Sequence, residues 1–214
     1  MTSILLTGFE PFDGETVNPS WQAVLRAQAL WDGPEDLHIA EIPVDFDTCD
    51  RALAEALGRF RPDLVIAVGQ AGGRSGISVE RVAINVDDAR IPDNAGFQPV
   101  DAAIVPGGPA AYFSTLPIKA CVAALAEVGI PASVSQTAGT YTCNHLFYQL
   151  MHTLENELPD ARGGFVHIPF TPEQVGGRDH PSMSVDLATA ALLSLVRTSL
   201  DLATDIRSSG GALH

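Results

Sequence analysis

The chain has 214 residues, 46% hydrophobic and 18% charged, with 26 acids against 12 bases for a net charge of −14. That is enough apolar material for one sizeable core and too little charge for a disordered chain, so a single α/β domain over residues 1–214 is expected. So acidic a surface repels phosphate backbones and anionic lipid, which argues against nucleic acid and membranes as partners.

From the N-terminus, Ile4 to Phe9 reads as a buried strand, followed by a loop through Pro19. Ser20 to Leu30 has helical spacing, with Trp21, Val24 and Leu25 on one face. His38 to Pro43 reads as a strand, and Asp47 to Phe60 as a helix capped by Asp47 or Thr48. Asp63 to Gly69 is a second buried strand, closed by the tight turn Gln70-Ala71-Gly72-Gly73, and Ile77 to Val86 is a third. Asp87 to Pro109 is rich in Gly and Pro and carries few periodic signals; so long a loop acts as a lid, a binding loop or a contact with another subunit. Pro117 to Val128 is helical and stopped by Gly129. Ala132 to Gln136 and Gly164 to Ile168 are short strands, and Cys143 to Leu158 and Ser184 to Ile206 are helices. Helices alternate with short apolar strands throughout. The expected fold is therefore a mostly parallel or mixed sheet with helices on both faces.

Cys49, Cys121 and Cys143 are too few and too scattered for a disulfide framework, and they form no C-x-x-C pair, so neither a metal nor another cofactor is expected. A reducing, cytoplasmic setting fits them. The opening apolar run is too short for a signal peptide and lacks a basic segment, and no stretch reaches transmembrane length.

Three residues stand out chemically. Cys143 follows a strand and opens an amphipathic helix whose apolar positions are Leu146, Phe147, Leu150, Met151 and Leu154. A sulfur there meets the positive end of the helix dipole and unpaired N–H groups, which favour thiolate and could hold an oxyanion. Taken alone, a free cysteine is more often a small buried hydrophobe. His167 lies near the C-terminal end of a short apolar strand, where sites collect in open α/β sheets. In isolation it is a satisfied core histidine; beside Cys143 it makes a nucleophile–base pair. His145 is its rival, but at i+2 from Cys143 it points elsewhere on the helix. Glu80 interrupts an apolar strand and on alternation shares a face with Val82 and Ile84. It either orients an imidazole or pairs with Arg74, Arg81 or Arg90, and the strand alone favours the ion pair. Gly69-Gln70-Ala71-Gly72-Gly73 is not a phosphate loop: it lacks both G-x-G-x-x-G and G-K-[ST].

Taken in order, Leu5 to Phe12, Asn18 to Trp21, Val68 to Arg74, Glu80 to Asn85, Ala89 to Asn94, Gly107 to Tyr112, Ser135 to His145 and Gly164 to Pro169 resemble the pyroglutamyl peptidase I (pyrrolidone-carboxylate peptidase) family. The runs cover most of the chain to about Gln174, and the ordered set is far more specific than any one run. The resemblance implies a three-layer α/β/α sandwich, often a homotetramer, and an intracellular cysteine peptidase that removes N-terminal pyroglutamate from peptides. It implies Cys143 as nucleophile, His167 as general base then acid, Glu80 as the residue orienting the imidazole, and Arg90 assisting the Cys143 N–H at the oxyanion. A neutral lactam needs apolar walls and one or two hydrogen-bond partners. Phe9 and Phe12 resemble the family's substrate-binding aromatics, with Asn18 and Gln70 as the polar candidates. Thr142 stands where many relatives carry an apolar residue, a departure that bears on the ring pocket. The competing readings are a nucleoside or phosphate binder on the same scaffold, an inactive relative that only binds, and a cysteine amidase for other small amides.

Overall fold

A computed structural model describes residues 2–211. Its elements are β1 (Ser3–Phe9), α1 (Pro19–Leu30), β2 (Asp36–Ile42), α2 (Cys49–Phe60), β3 (Leu64–Gln70), β4 (Ile77–Glu80), β5 (Val82–Ile84), β6 (Ala111–Phe113), α3 (Ile118–Glu127), β7 (Ala132–Ser135), α4 (Thr142–Glu157), β8 (Arg162–Ile168), α5 (Pro172–Val175) and α6 (Val185–Asp201). Six strands form the central sheet in the order β2-β1-β3-β8-β4-β7. Every neighbouring pair is parallel except β4 and β8, which run antiparallel with Ser78 opposite His167.

The near-continuous apolar runs of β1, β3 and β8 arise because both faces of the sheet are covered. Successive residues point to opposite faces, so each run feeds two cores. Ile4, Leu6, Ile66, Val68, Val79 and Val166 pack under α1, α3 and α6. Leu5, Val65, Ala67 and Phe165 pack under α2 and α4. The result is the expected α/β/α sandwich with a mixed, mostly parallel sheet.

Several boundaries differ from the sequence expectation for identifiable reasons. The run from Ile77 to Val86 is not one strand. It breaks at Arg81, and β5 leaves the main sheet to pair antiparallel with β6. Glu80 therefore shares no sheet face with Val82 and Ile84; it lies on the α4 side of the main sheet, on the same face as His167. On α1 the buried stripe is Ser20, Ala23, Val24 and Ala27, while Leu25 is 44% exposed. Small residues let the helix sit close to the sheet, and the bulkier Leu25 is not needed there. The last helix ends at Asp201 rather than Ile206, because Arg162 donates to the terminal carbonyls of Ser199 and Leu202. The chain then turns so that the Asp205 carboxylate accepts from the backbone N–H groups of Lys119 and Ala120, capping α3.

Candidate active site

The carboxyl ends of β1, β3 and β8 and the start of α4 surround a cavity of about 200 Å³. Its walls include Phe9, Phe12, Val44, Ala138, Tyr141 and Thr142, with Asn18, Gln70, Arg74, Cys143 and His167 as the reactive or polar members. Sites at strand carboxyl ends are the rule for open α/β sheets.

Cys143 is the second residue of α4. Tyr141 precedes the helix in extended conformation and supplies no side-chain cap, and the first intrahelical bond runs from the His145 N–H to the Tyr141 carbonyl at 3.0 Å. The amides ahead of His145, including that of Cys143, therefore face outward at the positive end of the helix. Asn144 locks this turn in place. Its Nδ2 donates to the carbonyls of Ile84 and Val86, and its Oδ1 accepts from the Ile84 N–H. Across the cavity floor, Gly69 lies opposite His167 in the β3–β8 register. A Cβ on Gly69 would fall 2.9 Å from Cys143 Sγ and 2.8 Å from Phe165 Cζ. The bare α-carbon thus makes the seat for the sulfur.

His167 is buried on the same face. Its Nδ1 is 2.7 Å from Glu80 Oε1, and that oxygen also accepts from Arg74 Nη1 at 2.6 Å. Both readings of Glu80 are thus realised at once: it holds the imidazole and pairs with an arginine. With a guanidinium on the same oxygen, the carboxylate is the acceptor and Nδ1 carries the proton. Nε2 is left with its lone pair.

The ionisation of Cys143 differs from the sequence expectation. The residue is half-buried and lines the cavity. Burial pushes the thiol up to about 12; the Glu80 charge adds to this and Arg74 opposes it. Local helix geometry favours thiolate, but desolvation outweighs it. Burial also lowers the His167 pKa, against the raising pull of its bond to Glu80. Burial thus favours the neutral form of both the thiol and the imidazole.

The remaining candidates divide. Phe9 is buried against Phe165, and Phe12 lies 6.3 Å from Tyr141, centroid to centroid. Asn18 lines the cavity, but its amide is engaged: Oδ1 accepts from Ser20 N and Oγ as the cap of α1, and Nδ2 donates to the Glu10 carbonyl. Gln70 is freer. Its Oε1 accepts from Gln174 Nε2 at 2.9 Å, which orients the amide and leaves its own NH₂ group without an acceptor among the described residues. Thr142 is buried in the wall. Arg90 is exposed and is not among the lining residues. Sequence reasoning missed Val44, Ala138 and Tyr141 as walls and Gln174 as the support of Gln70. Val44 follows β2 at a strand carboxyl end, a usable signal; Gln174 left none.

The Asp87–Pro109 segment is tied down on the site side. Tyr141 Oη donates to the Pro92 carbonyl, Asn94 Nδ2 to Glu10 Oε1 and the Pro11 carbonyl, and the Phe46 N–H to Asp93 Oδ2. Next to it, His145 bridges Asp87 Oδ2 at 2.7 Å and Asp50 Oδ1 at 3.0 Å. Burial alone would lower its pKa, but these bonds raise it to about 12. Cys49, Asp50 and His145 are the metal-ligating types that cluster among the described residues. The two carboxylate contacts of His145 make the cluster an ion clamp, and none of its three residues lines the cavity.

A family model described as pyroglutamyl peptidase matches residues 2–201. A pyrrolidone-carboxylate peptidase of Clavibacter michiganensis is 59% identical, with both chains covered in full. The crystal structure of pyroglutamyl peptidase I from Bacillus amyloliquefaciens superposes with a TM-score of 0.95 at 50% identity, covering 97% of this chain and 99% of that one. A variant pyrrolidone carboxyl peptidase from Pyrococcus furiosus gives 0.90 at 40% identity, covering 94% and 99%. On sequence, fold and the match of whole chain to whole chain, this protein belongs to the pyroglutamyl peptidase family.

Proposed function

We propose that this pyroglutamyl peptidase acts through Cys143 as nucleophile, His167 as general base and acid, and Glu80 as the residue that orients the imidazole. The observation that carries this reading is the shared cavity of Cys143 and His167, with Glu80 bonded to His167 Nδ1 at 2.7 Å. His167 Nε2 takes the thiol proton as sulfur attacks the carbonyl that links pyroglutamate to the next residue. The Cys143 N–H at the start of α4 holds the oxyanion, a donor worth about 3 kcal/mol in the transition state. The imidazolium then protonates the leaving amine as the C–N bond breaks, leaving a thioester. His167 next activates water, which releases pyroglutamate and returns the proton to sulfur. Arg90 joins the oxyanion in this scheme by re-aiming from its exposed position once substrate is seated.

Phe9, Phe12 and Thr142 form the ring pocket, and Gln70 supplies the hydrogen bond to the lactam. Asn18 braces the loop that carries Phe12. The chain functions as a cytoplasmic homotetramer without a cofactor, acting on peptides rather than nucleic acid or membranes. Its three free cysteines suit a reducing compartment, and no helix among the described residues is long and apolar enough to cross a membrane. Sedimentation of the purified chain as a monomer would remove the tetramer. The deciding experiment for the activity is release of a chromophore from a pyroglutamyl amide under reducing conditions. Wild type should turn over and Cys143→Ala should not; equal activity in both sinks the assignment of the nucleophile.

A further inference from the structure

Glu80 is a fully buried carboxylate whose Oε1 takes two donors while Oε2 has no partner among the described residues. An anion so placed needs a counter-charge or a proton. The titratable and charged groups around the Glu80–His167 pair are Arg74 from the turn after β3, His167 on β8 and Cys143 on α4. From β7 and the residues after it come only Ser135 and Thr137, which are neutral. The adjacent Arg81 is directed elsewhere, to the Gln136 side chain and the Gly210 carbonyl. Arg74 is thus the permanent cation hydrogen-bonded to Glu80.

We propose that Arg74 is a positioning residue for the reaction: by neutralising Glu80 it keeps His167 uncharged, with its proton on Nδ1 and its lone pair on Nε2. The inference rests on the peptidase reading above. Without Arg74, the buried carboxylate would be balanced by a solvent proton taken up on the imidazole, and the resulting imidazolium cannot accept the thiol proton. The Nη1 edge of the guanidinium is committed to the protein rather than to a substrate. Nη1 also donates to Ser135 Oγ at 3.4 Å and Nη2 to the Thr137 carbonyl at 3.1 Å, so it acts through Glu80 although it edges the cavity. The direction of its field agrees: the Arg74 charge lowers the proton affinity of both His167 and Cys143.

The test compares wild type, Arg74→Gln and Arg74→Lys. Gln keeps hydrogen-bonding capacity without charge, and Lys keeps charge without the fork. The readouts are an ¹⁵N NMR titration of the His167 ring and the pH profile of kcat/KM. In Arg74→Gln the imidazolium signals should persist to higher pH than in wild type. The acid limb of kcat/KM should move the same way, with a loss of about tenfold or more on that limb. Arg74→Lys should restore both. In a Glu80→Gln background there is no carboxylate to balance and only the direct field of Arg74 remains, so Arg74→Gln should move the His167 titration less than it does in the wild-type background. A uniform fall in rate at every pH, with the His167 titration unmoved, would make Arg74 merely structural and overturn the proposal. The NMR arm needs no turnover. Failure of wild type to cleave pyroglutamyl amides would therefore count against the peptidase reading, while the titration still decides the role of Arg74.

Discussion

Gly69→Ala tests whether the seat under Cys143 matters for chemistry. Gly69 does not have positive φ, so alanine is tolerated by the backbone itself, and the substitution probes space alone. The new methyl would sit 2.9 Å from Cys143 Sγ and 2.8 Å from Phe165 Cζ. Ordinary contacts lie at roughly 3.5–4.0 Å, so about 0.8 Å must be found on each side. Phe165 is fully buried between α4 and the sheet and has little room to give. Overpacking of this kind costs about 1–3 kcal/mol, and removing a strand glycine returns about 0.5–1. The net loss of stability should be roughly 1–2 kcal/mol. The larger effect falls on the sulfur, because displacing a reacting group by about 1 Å lowers rate roughly 10²-fold. Turnover of a pyroglutamyl amide, the alkylation rate of Cys143 by iodoacetamide and a thermal melt separate the two effects. A variant that melts near wild type and keeps kcat/KM within about threefold would refute the geometric argument.

Two further outcomes follow from the bonds around the site. His145→Gln removes a buried cation from between Asp50 and Asp87 and should cost about 3 kcal/mol at neutral pH; because the folded pKa of His145, about 12, exceeds its unfolded value near 6.5, its contribution is complete below about pH 6.5 and is lost progressively as pH rises from there toward about 12, so the stability gap between wild type and variant in urea should narrow above about pH 6.5, and a constant gap would contradict an imidazolium there. Gln174→Ala frees the Gln70 amide and should raise KM about fivefold, the worth of one hydrogen bond of about 1 kcal/mol, with kcat nearly unchanged; a fall confined to kcat would mean that Gln70 serves the transition state rather than binding.

The long regular elements were legible because burial on two faces leaves a strong pattern. The apolar runs of β1, β3 and β8 and the stripe of α4 read directly from residue type. Short elements were not. β6 has three residues and is held by pairing with β5, and α5 has four residues held by a capping box between Thr171 and Gln174. Neither is long enough to show a period. The split after Glu80 was hidden because β5 continues the same apolar spelling into a different sheet. Cys143, His167 and Glu80 were visible as chemical anomalies within apolar neighbourhoods. The protonation of Cys143 was not, because it depends on enclosure by residues distant in sequence. The same holds for the double engagement of Glu80: the sequence offered an ion pair or an imidazole contact as alternatives, and only the fold brings Arg74 and His167 to one oxygen.

The charges at this site also explain why a lactam should be its substrate. The Glu80 carboxylate is matched by the Arg74 guanidinium, and burial favours the neutral thiol and the neutral imidazole. Pyroglutamate adds no charge, so the bound ground state stays neutral and new charge arises as sulfur attacks. In the proposed mechanism an imidazolium then forms against Glu80 and an oxyanion at the amides of α4. Both partners are already in place, so their full effect falls on the transition state. An ordinary N-terminus would bring an ammonium into walls made by Phe9, Phe12, Val44 and Tyr141, with no carboxylate among the described lining residues to receive it. Glu80, the acid bonded to the cavity residues Arg74 and His167, is buried and already shared between them. Losing the hydration of that ammonium costs several kcal/mol, which is enough to exclude unblocked peptides without a dedicated rejecting residue.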